Sequence, residues 1–144
     1  MEKELDDIGE EIGNYCHLRD VNLSNNKFRH IRPIENINYL VKLDCSKNEI
    51  KEMDIFKSIE KLQFLQILNL SNNKIKELPE LNLGSLKHLN LEGNLIDKTT
   101  DFKGLPNLQK LNLKQNKLKD CTGLINCPEL DVLYLVIYLN KFKL

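Results

Sequence analysis

The sequence of 144 residues contains no tryptophan and has only six glycines, four prolines and four cysteines. It also has no excess charge of either sign, because 21 basic residues are matched by 21 acidic ones. A chain without a net positive field lacks the long-range attraction that draws proteins onto nucleic acid or an anionic bilayer. We therefore expect neither nucleic acid nor a membrane as the partner.

Long hydrophobic runs are missing as well. No apolar run approaches the roughly 18 residues that a membrane-spanning helix needs. The first seven residues, MEKELDD, are too acidic and polar for a signal peptide. With 41% hydrophobic and 29% charged residues, the composition predicts one soluble domain that stays in the cytoplasm.

The sequence contains no set of residues with the spacing of a catalytic, metal-binding or phosphate-binding motif. There is no C-x-x-C pair, and the histidines are too dispersed for a metal site. No Ser/His/Asp or Cys/His constellation and no glycine-rich phosphate loop is present. A nucleophilic site built from Cys121, Cys127 and His88 is the only candidate, and nothing in their spacing favours it. We predict a protein that is not an enzyme, with no catalytic, cofactor-binding or metal-binding residue and no small-molecule substrate.

One eleven-residue phrase, L-x-x-[LV]-x-[LC]-x-x-N-x-[ILF], occurs five times in the chain. Successive copies begin roughly 22 residues apart, which is within the period of leucine-rich repeats. The copies open at Leu18, Leu40, Leu65, Leu86 and Leu108. The asparagines in the same phase are Asn26, Asn48, Asn73, Asn94 and Asn116. One such unit cannot bury its own apolar face, so the units are expected to stack into a solenoid.

Each phrase alternates apolar and polar residues, as in Leu68-Asn69-Leu70, which predicts a short half-buried strand. Widely separated copies running in one direction give parallel pairing. The second halves carry apolar residues about every three positions, a spacing that suits 3₁₀ turns. In the second repeat, Ile55, Ile59 and Leu62 predict a real helical turn. The expected fold is an α/β solenoid, a right-handed leucine-rich-repeat horseshoe segment with a parallel sheet on its concave face and 3₁₀ or short helical segments on its convex face.

This pattern divides the chain into three parts. Residues 1–17 are predicted to be a partial repeat or an N-terminal cap, 18–129 the five repeats, and 130–144 a degenerate sixth repeat or C-terminal cap. In the first part, Leu5, Ile8, Ile12 and Tyr15 fit either the apolar positions of a repeat's second half or the stripe of an amphipathic helix.

The C-terminal part is unusual because Tyr138 replaces the repeated asparagine and residues 133–139 carry no charge. An uncharged, β-prone terminal strand is prone to aggregate unless something covers it. Three explanations remain open: a chain cut short, a strand that caps itself, and an edge for a partner or a second copy.

The repeated asparagines are expected to be buried and to bond backbone groups of their own and neighbouring turns. Cys45, Cys121 and Cys127 occupy apolar positions of the repeat, where a free cysteine behaves as a small hydrophobe. Reduced thiols in the core indicate the cytosol or nucleus.

The outward positions of the strands should form columns along the concave face. We predict partner-binding residues in the first two columns: Asp20, Asn22, Lys42, Asp44, Ile67, Asn69, His88, Asn90, Lys110, Asn112, Val132 and Tyr134. A third column is Ser24, Ser46, Ser71, Glu92, Lys114 and Val136. Two interpretations are compatible: polar residues simply face water, or they dock a protein partner around the anchors Ile67, His88 and Tyr134.

A second pattern follows each repeated asparagine. Cations recur there in two positions, namely Arg29, Lys51, Lys76 and Lys119 in one and Lys27, Lys74 and Lys117 in the other. Stacking would align them in a ridge suited to an acidic partner such as a tubulin tail. Alternatively, the acidic residues Glu52, Glu77 and Asp120, which come directly after three of these cations, neutralise the ridge locally.

The phrase and its second-half spacing resemble the short, roughly 22-residue intracellular class of leucine-rich repeats, typified by the nuclear regulatory subunit of protein phosphatase 1 and the leucine-rich light chain of axonemal outer-arm dynein. Five stretches are further similar to the ciliary, radial-spoke-associated family of leucine-rich repeat-containing protein twenty-three: Glu4–Ile8, Tyr15–Ser24, Leu65–Ile67, Leu89–Asn94 and Leu124–Leu130. Members of that family are longer, with further repeats and a charged tail, so the resemblance concerns the repeats and implies nothing about functions of the tail.

The resemblance implies a non-catalytic protein-interaction scaffold in a ciliary or axonemal assembly, with an axonemal or tubulin-associated protein partner. The alternative is a regulatory subunit of a phosphatase-type enzyme in the cytosol or nucleus.

Overall fold

Six three-residue strands form one sheet in a computed structural model, which describes residues 8–51, 59, 61–99 and 102–136. The strands are β1 (Asp20–Asn22), β2 (Lys42–Asp44), β3 (Ile67–Asn69), β4 (His88–Asn90), β5 (Lys110–Asn112) and β6 (Val132–Tyr134). All neighbours pair in parallel, and their order in the sheet is their order in the chain. Each strand therefore belongs to one turn of a solenoid, and the predicted parallel-sheet fold is confirmed.

Three 3₁₀ helices lie on the return paths: η1 (Glu10–Asn14), η2 (Arg32–Asn36) and η3 (Thr122–Asn126). Each helix ends four residues before the leucine that opens the next phrase. The described N-terminal residues thus have the form of a repeat's second half, and the amphipathic α-helix is not seen among them. The helical turn predicted in the second repeat lies outside the described residues except for Ile59 and Leu62, which are both buried.

One continuous core runs through the stack. The central strand leucines Leu43, Leu68, Leu89 and Leu111 are 0–2% exposed, and they belong to the same cluster as the apolar residues of the return paths. Inward positions of this kind remove apolar surface from water at about 25 cal/mol per Å². Because each turn contributes to one shared interior, no turn is expected to be stable alone.

Three of the four free cysteines, all except Cys16, contribute to this core. Cys45 and Cys127 are buried, and Cys121 packs against the cluster while partly accessible. Burial raises the pKa of all three thiols, because a thiolate loses its hydration in an apolar site. These residues therefore act as small hydrophobes, as the repeat pattern predicts.

The repeated asparagines form a ladder along the stack. Asn73 shows the pattern: its Nδ2 donates to Leu70 O at 3.1 Å, to Ser71 O at 3.3 Å and to Cys45 O of the preceding turn at 2.9 Å. Its Oδ1 accepts the Ile50 backbone N–H at 3.0 Å. Asn48, Asn94 and Asn116 repeat this arrangement. The expected burial and bonding within and between turns are confirmed for these four asparagines. Asn26 of the first repeat is only partly buried, and it donates to Leu23 O and Ser24 O of its own turn.

The residue before each asparagine adopts the left-handed backbone conformation, with φ between 54° and 68°. These residues are Asn25, Lys47, Asn72, Gly93 and Gln115. The conformation turns the chain sharply out of the strand so that the following asparagine points inward. Only glycine, and to a lesser degree asparagine, adopts it without notable cost. The phrase leaves this position variable, so the sequence pattern did not reveal it.

The two ends of the stack differ from its middle. Leu133, in the position filled by the buried leucines of β2 to β5, is 40% exposed. At the other end Tyr15, which the pattern assigned to an apolar position, is 63% exposed because no earlier turn packs over it among the described residues. Leu5 and Tyr138, which also entered the sequence interpretation, lie outside the described residues.

Candidate functional site

The concave face presents two columns of side chains in exact register across the sheet. The first column is Asp20, Lys42, Ile67, His88, Lys110 and Val132, and the second is Asn22, Asp44, Asn69, Asn90, Asn112 and Tyr134. In β1 to β5 the middle residue is buried while the two flanking residues are exposed or half-buried. All twelve predicted residues therefore lie on one surface.

A depression of about 340 Å³ lies across this face, from β2 to β6. Ile67 and His88 are register neighbours at its centre, and Tyr134 stands at its C-terminal end. Its floor is formed by the core leucines of β2 to β5. Nine of the twelve predicted residues line the depression; Asp20, Asn22 and Val132 do not.

The side chains of the second column also form hydrogen bonds with the backbone, a role that the sequence interpretation missed. The side-chain oxygen of each of its first five members accepts the backbone N–H two residues later, at 2.9–3.1 Å. This is the Asx-turn geometry of Asn and Asp. An asparagine or aspartate repeated at the end of each of the first five strands was the available signal. These side chains are consequently held in place before any partner arrives.

Cross-strand contacts engage the acidic groups of the face. Lys42 Nζ lies 3.0 Å from Asp20 Oδ2, Asn69 Nδ2 donates to Asp44 Oδ2 at 3.0 Å, and Asn112 Nδ2 donates to Glu92 Oε2 at 2.9 Å. Burial acts to raise the pKa of Asp44, but hydrogen bonds from Ser46 and Asn69 and the charge of Lys42 outweigh it and lower that pKa. The carboxylate stays ionised and tied to its neighbours.

The centre of the face is uncharged near neutral pH. Partial burial lowers the pKa of His88, and the positive charges of Lys110 and Lys87 lower it further. A neutral imidazole beside Ile67 is a surface that an apolar group can cover at little desolvation cost. At the C-terminal end the Lys114 ammonium lies 4.9 Å from the centre of the Tyr134 ring, a cation–π contact that orients the ring.

The predicted third column is wrong in part. Ser46 and Ser71 are buried, so they do not offer hydroxyl groups on the concave face. The Ser46 side chain hydrogen-bonds the Asp44 carboxylate, and the chain turns at the left-handed residue that follows each serine. The usable face is therefore two columns wide over these turns.

A row of exposed rings lies beside the sheet and was also missed. His17, Tyr39 and Phe64 each precede the leucine that opens a phrase, and their rings stack with centroids 6.4 and 5.8 Å apart. The next three turns carry Ser85, Asn107 and Glu129 there. Comparing the residue before each phrase across repeats would have revealed the row.

The described part of the chain shows neither a metal site nor a membrane-spanning helix. No group of three or more His, Cys, Asp or Glu side chains is placed there to hold a metal ion. No helix in that part is long and apolar enough to cross a membrane. His88 lies on the concave face and Cys127 in the core, where burial raises the pKa of its thiol. His88 and Cys127 therefore do not lie in one site.

Comparison with known proteins agrees with this architecture. A family model described as leucine-rich repeats in two copies matches residues 63–104. The chain is similar to the crystal structure of internalin InlF from Listeria monocytogenes, with 27% identity and a TM-score of 0.79 over 92% of this chain and 39% of that one. A leucine-rich-repeat protein of Leptospira interrogans is 28% identical with a TM-score of 0.75, over 96% of this chain and 42% of that one.

A third similar structure is the plant peptide hormone receptor RGFR1 in complex with RGF2, with 27% identity and a TM-score of 0.71. The similarity spans 91% of this chain and 23% of the receptor chain. The chain thus spans less than half of each of these three structures. No curated protein matches the sequence. These findings identify the solenoid as a leucine-rich-repeat fold.

Proposed function

We propose that this leucine-rich-repeat solenoid is a non-catalytic scaffold that binds a protein segment across its concave face. The observation that carries the proposal is the depression between β2 and β6, where the uncharged pair Ile67 and His88 lies among polar side chains already held in place. Solenoids of this kind offer extended concave surfaces for macromolecular partners. The RGFR1 structure, a receptor with its peptide hormone, is a complex of a related fold with a polypeptide.

The organisation of the face favours a polypeptide over a small molecule. The depression is open and extends over five strands, and its polar groups are spread along it instead of converging on one point. Half-exposed Tyr134 and central Ile67 supply apolar contact area, while Asn69 and Asn90 supply hydrogen bonds. Interfaces concentrate binding energy in such central anchors within a polar rim.

The test is affinity purification of the tagged protein from its native organism, followed by mass spectrometry. Ile67→Asp and Tyr134→Asp place a charge at the centre and at one end of the depression, and each should abolish recovery of the partner. Ile125→Asp is the matched control, because Ile125 is 86% exposed on η3, away from the concave face. Equal recovery with all three variants would refute the concave face as the binding surface.

For the biological setting we propose a ciliary assembly with an axonemal or tubulin-associated partner. The support is that five sequence stretches, the first at Glu4–Ile8 and the last at Leu124–Leu130, are similar to a radial-spoke-associated family. The protein should then sediment with isolated axonemes and be released with their components. Consistent recovery in a nuclear fraction, bound to a nuclear partner, would contradict this setting without affecting the scaffold proposal.

The alternative setting is a regulatory subunit of a phosphatase-type enzyme in the cytosol or nucleus. Its support is the repeat class shared with the nuclear regulatory subunit of protein phosphatase 1. Recovery of a phosphatase catalytic subunit that is lost with Ile67→Asp would favour this alternative over the axonemal one.

A further inference from the structure

Cations are concentrated on the flank of the solenoid where the chain leaves the sheet. The basic flank is defined here as the side chains one and three residues after each repeated asparagine. Its members are Lys27, Arg29, Glu49, Lys51, Lys74, Lys76, Leu95, Asp97, Lys117 and Lys119. The basic flank thus carries seven cations and two anions, although the net charge of the whole chain is zero.

The fold produces this alignment through the residue between the two positions. Phe28, Ile50, Ile75, Ile96 and Leu118 occupy that intermediate position, and all are buried. Because alternate residues of an extended chain point to opposite sides, the residues before and after them point outward. The two rows of cations are therefore a consequence of the core pattern.

Backbone hydrogen bonds hold the rows in register. Lys74 N donates to Ile50 O, Lys117 N to Ile96 O and Lys119 N to Asp97 O, each at 2.8 Å. These bonds join successive turns at the flank just as the ladder joins them at the strands. The backbone positions that carry these charges are therefore fixed, so a partner does not have to order the chain of the flank on binding.

The neutralisation considered from the sequence takes a different form in the structure. Glu49 Oε2 lies 3.5 Å from Arg29 Nε and 3.4 Å from Lys74 Nζ, and the contact with Lys74 lowers the pKa of Glu49. The carboxylate of Asp120 instead accepts the Thr122 backbone N–H at 2.8 Å. Within the described residues, Lys76, Lys117 and Lys119 form no ion pair, although Glu77 directly follows Lys76 and Asp97 lies on the turn next to Lys119. One carboxylate is thus shared by two cations, and an excess of positive charge remains.

A polar depression of about 300 Å³ opens at the N-terminal end of the flank. Arg29, His30, Glu49 and Lys51 line it. The exposed cations Arg29 and Lys51 lie beside the single carboxylate of Glu49. The depression therefore carries an excess positive charge that a second carboxylate, supplied by a partner, would neutralise. An incoming acid could therefore bind here without removing Glu49.

We propose that the basic flank is a second binding surface, separate from the concave face, for an extended acidic segment of a protein. Charge complementarity specifies an anion. The described flank exposes no Phe, Tyr or Trp ring on which bases could stack, and the imidazole of His30 lies at its N-terminal end only. Stacking on successive rings is a principal element of single-stranded nucleic-acid binding. The interspersed Glu49 and Asp97 would also repel a chain with a phosphate at every step, whereas a peptide can place uncharged residues opposite them. A partner of the concave face that carried such a segment would be held at two surfaces.

The test measures fluorescence anisotropy of a labelled oligoglutamate peptide with the full chain. Lys76→Glu/Lys117→Glu/Lys119→Glu reverses three exposed lysines that have no ion pair among the described residues. Arg19→Glu/Lys87→Glu/Lys103→Glu is the matched control: it changes the net charge equally, at exposed basic residues away from the flank that also form no ion pair among the described residues. Thermal unfolding of both triple variants checks that each is folded at the assay temperature.

We expect the flank variant to weaken binding by about ten-fold or more, whereas the control should change it by roughly three-fold or less. Binding of the wild type should fall steeply as salt is raised, since exposed charges are screened beyond about 10 Å at 0.1 M. Three results would overturn the proposal: no binding of oligoglutamate at low salt, equal weakening by both triple variants, or tighter binding of an oligouridylate of equal charge. The last of these would assign the flank to nucleic acid instead.

Discussion

The side-chain amide of Asn73 donates a hydrogen bond of 2.9 Å to the carbonyl oxygen of Cys45, which lies one turn earlier in the solenoid. The same side chain accepts the Ile50 N–H of that earlier turn and donates to Leu70 O of its own turn, so a single residue satisfies backbone groups of two turns. Buried backbone groups that lose such a partner keep their desolvation cost. The ladder therefore links stability directly to the stacking of turns.

Asn73→Ala is expected to lower the free energy of unfolding by about 1–3 kcal/mol, because buried backbone groups are left without partners. Urea unfolding followed by circular dichroism measures the change. Asn38→Ala is the control at an exposed position and should stay within about 0.5 kcal/mol of wild type. Equal values for the two variants would contradict the ladder's role.

Gly93→Ala should also destabilise the protein. Gly93 has φ 68°, and a Cβ built there would lie 2.5 Å from Asn72 Oδ1 of the preceding turn. We expect a loss of about 1–2 kcal/mol from the left-handed backbone alone. Gly84→Ala provides the comparison, since an added Cβ there meets no atom within 4 Å. Thermal unfolding should separate the two variants clearly, and matching midpoints would disprove the steric account.

Gln115→Gly is expected to stabilise the chain. Gln115 adopts φ 55°, where a side chain is disfavoured, although it is exposed. Removing the side chain should raise the free energy of unfolding by up to about 1 kcal/mol. Gln109→Gly, at an exposed position without positive φ, should instead lower it by about 0.5–1 kcal/mol. Chemical unfolding of both variants decides, and a loss at both positions would argue against strain at Gln115.

Leucines in the same column should differ in their contribution according to burial. Leu111 is fully buried, whereas Leu133 is 40% exposed. Leu111→Ala is expected to cost about 2–5 kcal/mol by leaving a cavity in the core. Leu133→Ala should cost only about 1 kcal/mol, because less apolar area is removed from water there. Denaturant titrations would measure both values; a large loss at Leu133 would mean that the C-terminal edge is covered in solution.

Alkaline pH should destabilise the fold through its buried thiols. Burial raises the pKa of Cys45, so in the folded state the thiol stays protonated at a pH where the unfolded chain has lost that proton. The folded state then binds more protons, and stability falls as pH rises above the unfolded thiol pKa of about 8.5. Below that pH both states are protonated and this contribution is constant. Unfolding of wild type and Cys45→Ala at about pH 7 and about pH 9.5 tests this, since the variant should show the smaller decline.

The spacing of Leu43, Leu68, Leu89 and Leu111, with the asparagines in phase, was sufficient to predict parallel strands, their register and one shared core. It was sufficient because each turn repeats the same local pattern and can bury its apolar side only against its neighbours. For the same reason the two concave columns, from Asp20 to Tyr134, could be read off the sequence.

What only the tertiary structure decided lies at positions where the repeat is variable. The left-handed backbone at Lys47 and Gln115 follows from the turn geometry, which overrides residue preference. The sharing of Glu49 between Arg29 and Lys74 depends on contacts between successive turns, and no spacing within one repeat contains that information. Periodicity specifies which residues repeat along a solenoid, whereas distances between neighbouring turns decide which charges pair and which remain available to a partner.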